Sequence, residues 1–137
     1  FDKDGALARS GKINDAILKL FMKELENLSY PRADDISVYM NIFEKYESKI
    51  LNIDPADILC SLTEVTATKI IEFIDSCDHV DELIFHGGGT ENKYLMNRIT
   101  ESVSIEVKSI DHIAPSKYLE AIAFAYLAFK ERAVLFK

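Results

Sequence analysis

The sequence predicts an α/β chain, rich in helix and carrying a small parallel sheet, and three observations lead there. Apolar residues recur at helical spacing through the first half of the chain. After Asp78 the period changes, and short β-type runs at 82–86 and 103–108 flank a helical stretch. Between the first run and that stretch stand three consecutive glycines, Gly87, Gly88 and Gly89. Strand, helix, strand, helix at this spacing implies a parallel pair joined by a right-handed crossover.

Residues 4–10 form a short predicted helix closed by Gly11. Asn14 is placed to cap a second one, whose apolar stripe is Ile17, Phe21, Leu25 and Leu28, and Tyr30-Pro31 ends it. Asp34 or Asp35 starts a third helix with Ile36, Tyr39, Met40, Phe43, Tyr46 and Ile50 on one side. Residues 52–54 make a short connection. Asp54 then caps, Pro55 suits the first helical position, and Asp57 sits in the first turn, where the helix dipole favours negative charge. That helix is expected to run to about residue 76 with a core stripe of Leu59, Leu62, Val65 or Thr66, Ile70 and Phe73. Ser61, Glu64 and Thr68 fall together on another, polar face. Strand 82–86, helix 92–101, strand 103–108 and a last helix over 115–134 complete the order. Two strands do not make a stable sheet alone, so the full sheet is expected to draw strands from elsewhere in a longer protein, leaving an exposed edge here.

At 137 residues and 48% hydrophobic content the chain has the size of one globular domain. No apolar run is long enough to span a bilayer, and residues 1–20 lack a basic-then-apolar leader pattern, so a cytoplasmic location is expected and no membrane partner. A net charge of −7 with no basic run argues against nucleic acid as a partner. Cys60 and Cys77 share one predicted helix, about 25 Å apart at ~1.5 Å rise per residue, so both should be free thiols. His79, His86 and His112 have no metal-ligand spacing, and no protein-built metal site is expected. The start at Phe1 and the stop directly after an apolar helix suggest a piece of a longer protein.

The glycine turn carries the strongest chemical signal. Without Cβ atoms the backbone can take positive φ and lie flat against a planar or phosphorylated group. The helix that follows directs its amide hydrogens at the same spot, which favours an anion. A purely structural turn has the same composition. The dinucleotide pattern Gly-x-Gly-x-x-Gly is incomplete, which disfavours an oxidoreductase. Asn92 would cap the following helix with or without a nucleotide, and its side chain would be within reach of a ribose or phosphate. Glu120 lies on a stripe with Ala123, Phe124 and Leu127; either it turns to water or to Lys117, or it accepts a hydrogen bond from a substrate hydroxyl. Glu64, with Ser61 and Thr68, fits a polar ligand contact or a solvated helix face. His86, ending a strand, is a structural donor or a base. No nucleophile elbow or Walker loop is present.

Four segments in order resemble the anhydro-N-acetylmuramic acid kinases, of the actin, Hsp70 and sugar-kinase superfamily. They are Phe1-Asp2-Lys3-Asp4-Gly5-Ala6-Leu7-Ala8 with Ser10-Gly11; Ser61-Leu62-Thr63-Glu64-Val65-Thr66-Ala67; Gly87-Gly88-Gly89-Thr90-Glu91-Asn92 with Leu95-Met96; and Glu120-Ala121-Ile122-Ala123-Phe124-Ala125-Tyr126-Leu127-Ala128. The resemblance implies that residues 1–137 are the C-terminal lobe portion, on the nucleotide-binding side, of a two-lobed sugar kinase with an actin-like (ribonuclease H-like) ATPase fold. It further implies ATP and Mg²⁺, with Gly87, Gly88, Gly89 and Asn92 at the nucleotide and Glu120 at the sugar. The implied reaction opens the 1,6-anhydro ring with water and phosphorylates the sugar, giving N-acetylmuramic acid 6-phosphate in cell-wall recycling. The family's Asp-Thr-Gly-Pro-Gly-Asn segment and N-terminal phosphate loop are expected upstream of Phe1, general base included. The expected Pro-Lys-Ser-Thr-Gly-Arg-Glu stretch has no match around Tyr30 to Met40. The rival expectation is a non-catalytic ligand-binding or assembly module that keeps the fold, and an exposed sheet edge or the helices would allow a homodimer.

Overall fold

The computed structural model describes residues 2–26, 35–115 and 118–130. After a 3-10 turn at Lys3–Gly5 come α1 (Ala6–Ser10), α2 (Asp15–Glu24), α3 (Ile36–Lys45), α4 (Glu47–Ile50) and α5 (Pro55–Asp75). Then follow β1 (Glu82–Phe85), α6 (Lys93–Ser102), β2 (Glu106–Ser109) and α7 (Leu119–Phe129). The expected α/β class holds: helices dominate, and β1 and β2 form a parallel two-stranded sheet.

The long helix α5 is the hub, packed by α1, α2 and α6. Its start matches the sequence: the Asp54 carboxylate accepts from the Ala56 N–H at 2.8 Å with Pro55 next in line. Its core does not follow the single stripe expected. At about 100° per residue Val65 points opposite to Cys60, Ala67 and Ile74, and all four are buried. Phe73 is 40% exposed and Thr66 is exposed. A helix covered from two sides buries two faces, so no one amphipathic stripe describes it. The Val65 side meets Ile17, Phe21 and Leu25 of the α2 region with Ile42 and Ile50 of α3 and α4. Toward α1 and α6 the chain buries Ala8 and Ile99.

Loop 11–14 is tied to the first turns of α5. The Lys12 N–H donates to Asp57 Oδ1 at 2.7 Å, and the Asn14 N–H donates to Ser61 Oγ at 2.8 Å. Ser61 in turn donates to the Asp57 carbonyl at 2.7 Å. Asn14 caps α2 as expected, accepting from the Ala16 and Ile17 N–H groups. The expected helix from Asp35 to Ile50 is broken at Tyr46, whose φ of −117° leaves the helical range. There the Tyr46 hydroxyl donates to Glu24 Oε1 at 2.6 Å, a tertiary tie that overrides local continuity. On α3 the buried residue is Ile42, while Ile36 is 74% exposed and Met40 48%, against the stripe expected. Leu28 and Tyr30-Pro31 lie outside the described residues.

The second strand starts later than the sequence suggested. Val103 is extended but belongs to the end of α6, and pairing begins only where Glu106 meets Glu82. Those two carboxylates stand directly opposite each other, and Lys108 bridges both, at 2.7 Å to Glu82 and 2.9 Å to Glu106. The lysine removes the repulsion that like charges at facing positions create. Its own pKa is raised, first by the hydrogen bond to Glu82.

Candidate functional site: the glycine turn and the seam behind it

Gly87 follows β1 with φ +84° and ψ −178°, a conformation suited to glycine alone. It turns the chain out of the sheet into a 3-10 turn at Gly88–Glu91. Thr90 closes the turn twice over, its N–H and its hydroxyl both donating to the Gly87 carbonyl at 3.1 Å and 2.7 Å. Asn92 then caps α6, its Oδ1 accepting from the Leu95 N–H at 3.0 Å. The glycine turn thus leads through the 3-10 turn directly into the N-terminus of α6.

Among the described residues, a Cβ built on Gly87, Gly88 or Gly89 meets nothing within 4 Å beyond its chain neighbours. The described residues leave the turn as an open shelf of bare backbone and do not seal it under side chains. Two concavities lie away from the glycines, one of about 370 Å³ between α2 and α4 lined by Leu20, Tyr46 and Ile50, another of about 230 Å³ lined by Phe21, Tyr39 and Leu62. An anion or a flat ring has access to the shelf, and a ligand wholly enclosed there would need a second wall.

Behind the shelf, α6 is joined to α5 and to the N-terminal segment by a seam that sequence reasoning did not foresee. Gly5, at φ +69°, lies against Asn92 so closely that a Cβ on it would overlap Asn92 Oδ1. The Tyr94 hydroxyl and the Cys60 thiol share a hydrogen bond of 3.4 Å. That bond, with burial second, pushes the Tyr94 pKa up to about 12. Arg98 donates from Nε to Glu64 Oε2 and from Nη2 to Glu64 Oε1, each at 2.8 Å, a bidentate pair. The fork holds the Arg98 pKa above its ordinary value. The signal was present as matched spacing, since Cys60 and Glu64 stand four apart on α5 and Tyr94 and Arg98 four apart on α6.

Matched against known sequences, residues 1–135 fit the model of the anhydro-N-acetylmuramic acid kinases. The chain belongs to the anhydro-N-acetylmuramic acid kinase family. It is 35% identical over 139 residues to the anhydro-N-acetylmuramic acid kinase of Hahella chejuensis, which covers 98% of this chain and 37% of the relative. The enzymes of that name from gamma-proteobacterium EBAC31A08 and Sulfurimonas denitrificans are each 32% identical, over 95% and 93% of the chain and 36% and 38% of the relatives. The chain thus spans little more than a third of the length of these relatives.

For this member of the anhydro-N-acetylmuramic acid kinase family the structure sorts the residues singled out above. Gly87, Gly88, Gly89 and Asn92 come together at the start of α6. Glu120 is exposed in the first turn of α7, and Phe124, 70% exposed, and Leu127, 39% exposed, are exposed with it, so the stripe it shares is not buried among the described residues. Lys117, its expected alternative partner, lies outside them. Glu64 neither faces solvent freely nor stands ready for a ligand; its side chain is 16% exposed and held by Arg98. Ser61, expected on the same polar face, is wholly buried and serves the backbone of loop 11–14. His86 is exposed just past β1. Cys60 is a buried free thiol and Cys77 an exposed one, as expected. Among the described residues no helix is long and apolar enough to cross a membrane, and no group of three metal-ligating side chains forms.

Proposed function

We propose that this chain is the C-terminal, nucleotide-side lobe portion of an actin-like sugar kinase that acts in the cytoplasm. The whole protein would open the 1,6-anhydro ring of anhydro-N-acetylmuramic acid with water and phosphorylate it to N-acetylmuramic acid 6-phosphate in cell-wall recycling. One observation carries this: in a chain of the kinase family, the backbone at Gly87–Gly89 stands open, free of Cβ atoms, at the carboxyl end of a strand and the N-terminus of a ten-residue helix. Open α/β sheets hold ligands at that edge.

ATP would lie along the shelf, with Gly88 and Gly89 admitting close backbone approach and the first turn of α6 facing negative charge. Asn92 already spends its Oδ1 on the Leu95 N–H, so its main part is to fix where that turn points. Glu120 is assigned to a sugar hydroxyl on the resemblance of its helix. Mg²⁺, bound mainly through the nucleotide phosphates, would neutralise charge on the transferring phosphoryl group. The general base belongs to a segment upstream of Phe1.

Phosphoryl transfer depends on positioning and charge stabilisation, and half a cleft supplies binding with little rate. The test is calorimetry of ATP with the full-length protein and its Gly88→Val variant. A β-branched side chain on the shelf should weaken binding by tenfold or so, since about 1.4 kcal/mol of lost contact is enough. Unchanged affinity would remove the site. The 137-residue chain alone should show no turnover; activity from it would overturn the assignment of the base to another segment.

A further inference from the structure

We propose that Arg98 is a positioning residue for the glycine turn, acting through its two-bonded fork to Glu64. This rests on the assignment of the turn to the nucleotide.

The turn presents open space where side chains would project from its three glycines, with no atom of the described residues beyond the chain neighbours within 4 Å. Its placement is inherited from α6, to which it is joined through the Thr90 closure and the Asn92 cap. What orients α6 therefore orients the shelf. Besides the Arg98–Glu64 fork, that helix is held to α5 and the N-terminal segment by the close packing of Gly5 on Asn92 and Tyr94 and by three further contacts. Ile99 is fully buried, but apolar burial is non-directional and tolerates rotation. The thiol–hydroxyl bond of Cys60 and Tyr94 is long, at 3.4 Å, and sulfur is a weak partner. An ion pair of Lys93 with Asp4 at 3.3 Å joins two solvent-exposed side chains. Among these polar contacts of the described residues, the Arg98–Glu64 fork alone is charge-assisted, two-bonded and partly withdrawn from water, at 31% and 16% side-chain exposure. Two parallel N–H···O bonds fix the plane of the guanidinium as well as its distance. Arg98 also meets Glu101 at 3.5 Å on its own helix, a contact that cannot orient α6 against α5.

Arg98 stands about 9 Å along α6 from Asn92, at ~1.5 Å per residue. A small rotation at the fork is carried to the cap and hence to the amide hydrogens at the shelf. Because a misplacement of about 1 Å can already cost on the order of a hundredfold, loss of the fork should be read in nucleotide KM, with the sugar side spared.

The experiment is steady-state kinetics with thermal unfolding on the full-length protein, for Arg98→Lys, Arg98→Ala and Gly88→Val. Arg98→Ala should raise the nucleotide KM about tenfold while the sugar KM stays within about twofold. Arg98→Lys, able to make one bond to Glu64 and not two, should fall between wild type and Arg98→Ala. If Arg98→Lys unfolds at a lower temperature yet leaves the nucleotide KM unchanged, or raises both KM values equally, Arg98 is structural only and the inference is overturned. Should Arg98→Ala fail to fold, the lysine variant still decides. Should Gly88→Val leave the nucleotide KM unchanged, the nucleotide assignment itself fails and the inference falls with it; a raised KM there with no change in Arg98→Lys sinks the inference alone.

Discussion

Gly5 and Asn92 interlock: the left-handed backbone of Gly5 lies where a single added methyl would overlap the Asn92 side-chain oxygen. That oxygen caps α6 through the Leu95 N–H. The Asp2 carboxylate, three residues before Gly5, accepts from the Leu7 and Ala8 N–H groups at 2.8 Å and 3.0 Å and so fixes the start of α1. The N-terminal segment, the glycine shelf and the hub helix are thus one packed unit, although they lie far apart in the sequence.

Gly5→Ala should therefore be costly on two counts. Holding a non-glycine residue in the left-handed region costs roughly 1–3 kcal/mol, and the methyl must also displace Asn92 from its cap. The expected loss is about 2 kcal/mol or more, read as a lower denaturation midpoint of the protein. Gly88→Ala, with φ outside that region and open space around it, should stay within about 0.5 kcal/mol of wild type. Equal effects from the two substitutions would show that the interlock is not tight.

Ser61 gives a second stability test. It is wholly buried, accepts from the Asn14 N–H and donates to the Asp57 carbonyl. Ser61→Ala leaves that half-buried amide without its acceptor, which should cost about 1 kcal/mol. Thr66→Ala on the same helix removes a hydroxyl bonded to the Leu62 carbonyl from an exposed position. Chemical denaturation should show it near neutral, within about 0.5 kcal/mol.

The sequence marked four helix N-termini well, and strand starts, helix breaks and buried faces less well. Asn14, Asp35, Asp54 and Asn92 all cap where their side chains suggested, because capping is settled by a residue and its next three neighbours. The stripe of α5 was misjudged because two-sided burial depends on which helices arrive, and residue spacing does not carry that. Glu64 was weighed as ligand contact or solvated face, and a third outcome, a partner on α6 across 34 positions of sequence, was decisive. The break at Tyr46 has the same origin, a hydroxyl bonded to Glu24 on another helix. The glycine turn and the Asn92 cap were legible as backbone features because their geometry is local. Glu120 was not settled, since its meaning depends on what covers α7.

Acid and alkali should destabilise the protein through different groups. Asp2 is held below its ordinary 3.8 by the Ala8 and Leu7 N–H groups, and Glu24 below its ordinary 4.5 by the Tyr46 hydroxyl and then Lys45. A depressed folded-state pKa gives stabilisation that is present above the ordinary value and lost as pH falls through it. Glu24→Gln should accordingly flatten part of the decline below pH 4.5. Tyr94 runs the other way. Raised from 10.0 to about 12, it contributes stability in full below pH 10 and loses it as the pH climbs to about 12. Tyr94→Phe should show a shallower alkaline decline across that window than wild type. Parallel alkaline limbs for the two proteins would show that Tyr94 titrates as it does in the unfolded chain.

Glu120 is the residue whose role the helix alone decides least. A carboxylate on an exposed helix of the isolated chain has no structural task among the described residues, and its neighbours Ile122, at 48% exposure, and Phe124, at 70%, are bare as well. If the covering lobe brings the sugar to this helix, Glu120 accepts from a hydroxyl as an ionised group, and such a bond contributes about 1.5–3 kcal/mol. Glu120→Gln keeps the shape and removes the charge. In the full-length protein it should lower kcat/KM for the sugar by roughly tenfold to a hundredfold while ATP affinity by calorimetry stays unchanged. A fall in both would give Glu120 a packing role, because loosening a packing contact disturbs both binding sites together. A variant with wild-type kinetics for both substrates would return it to the solvated face that its sequence position equally allowed.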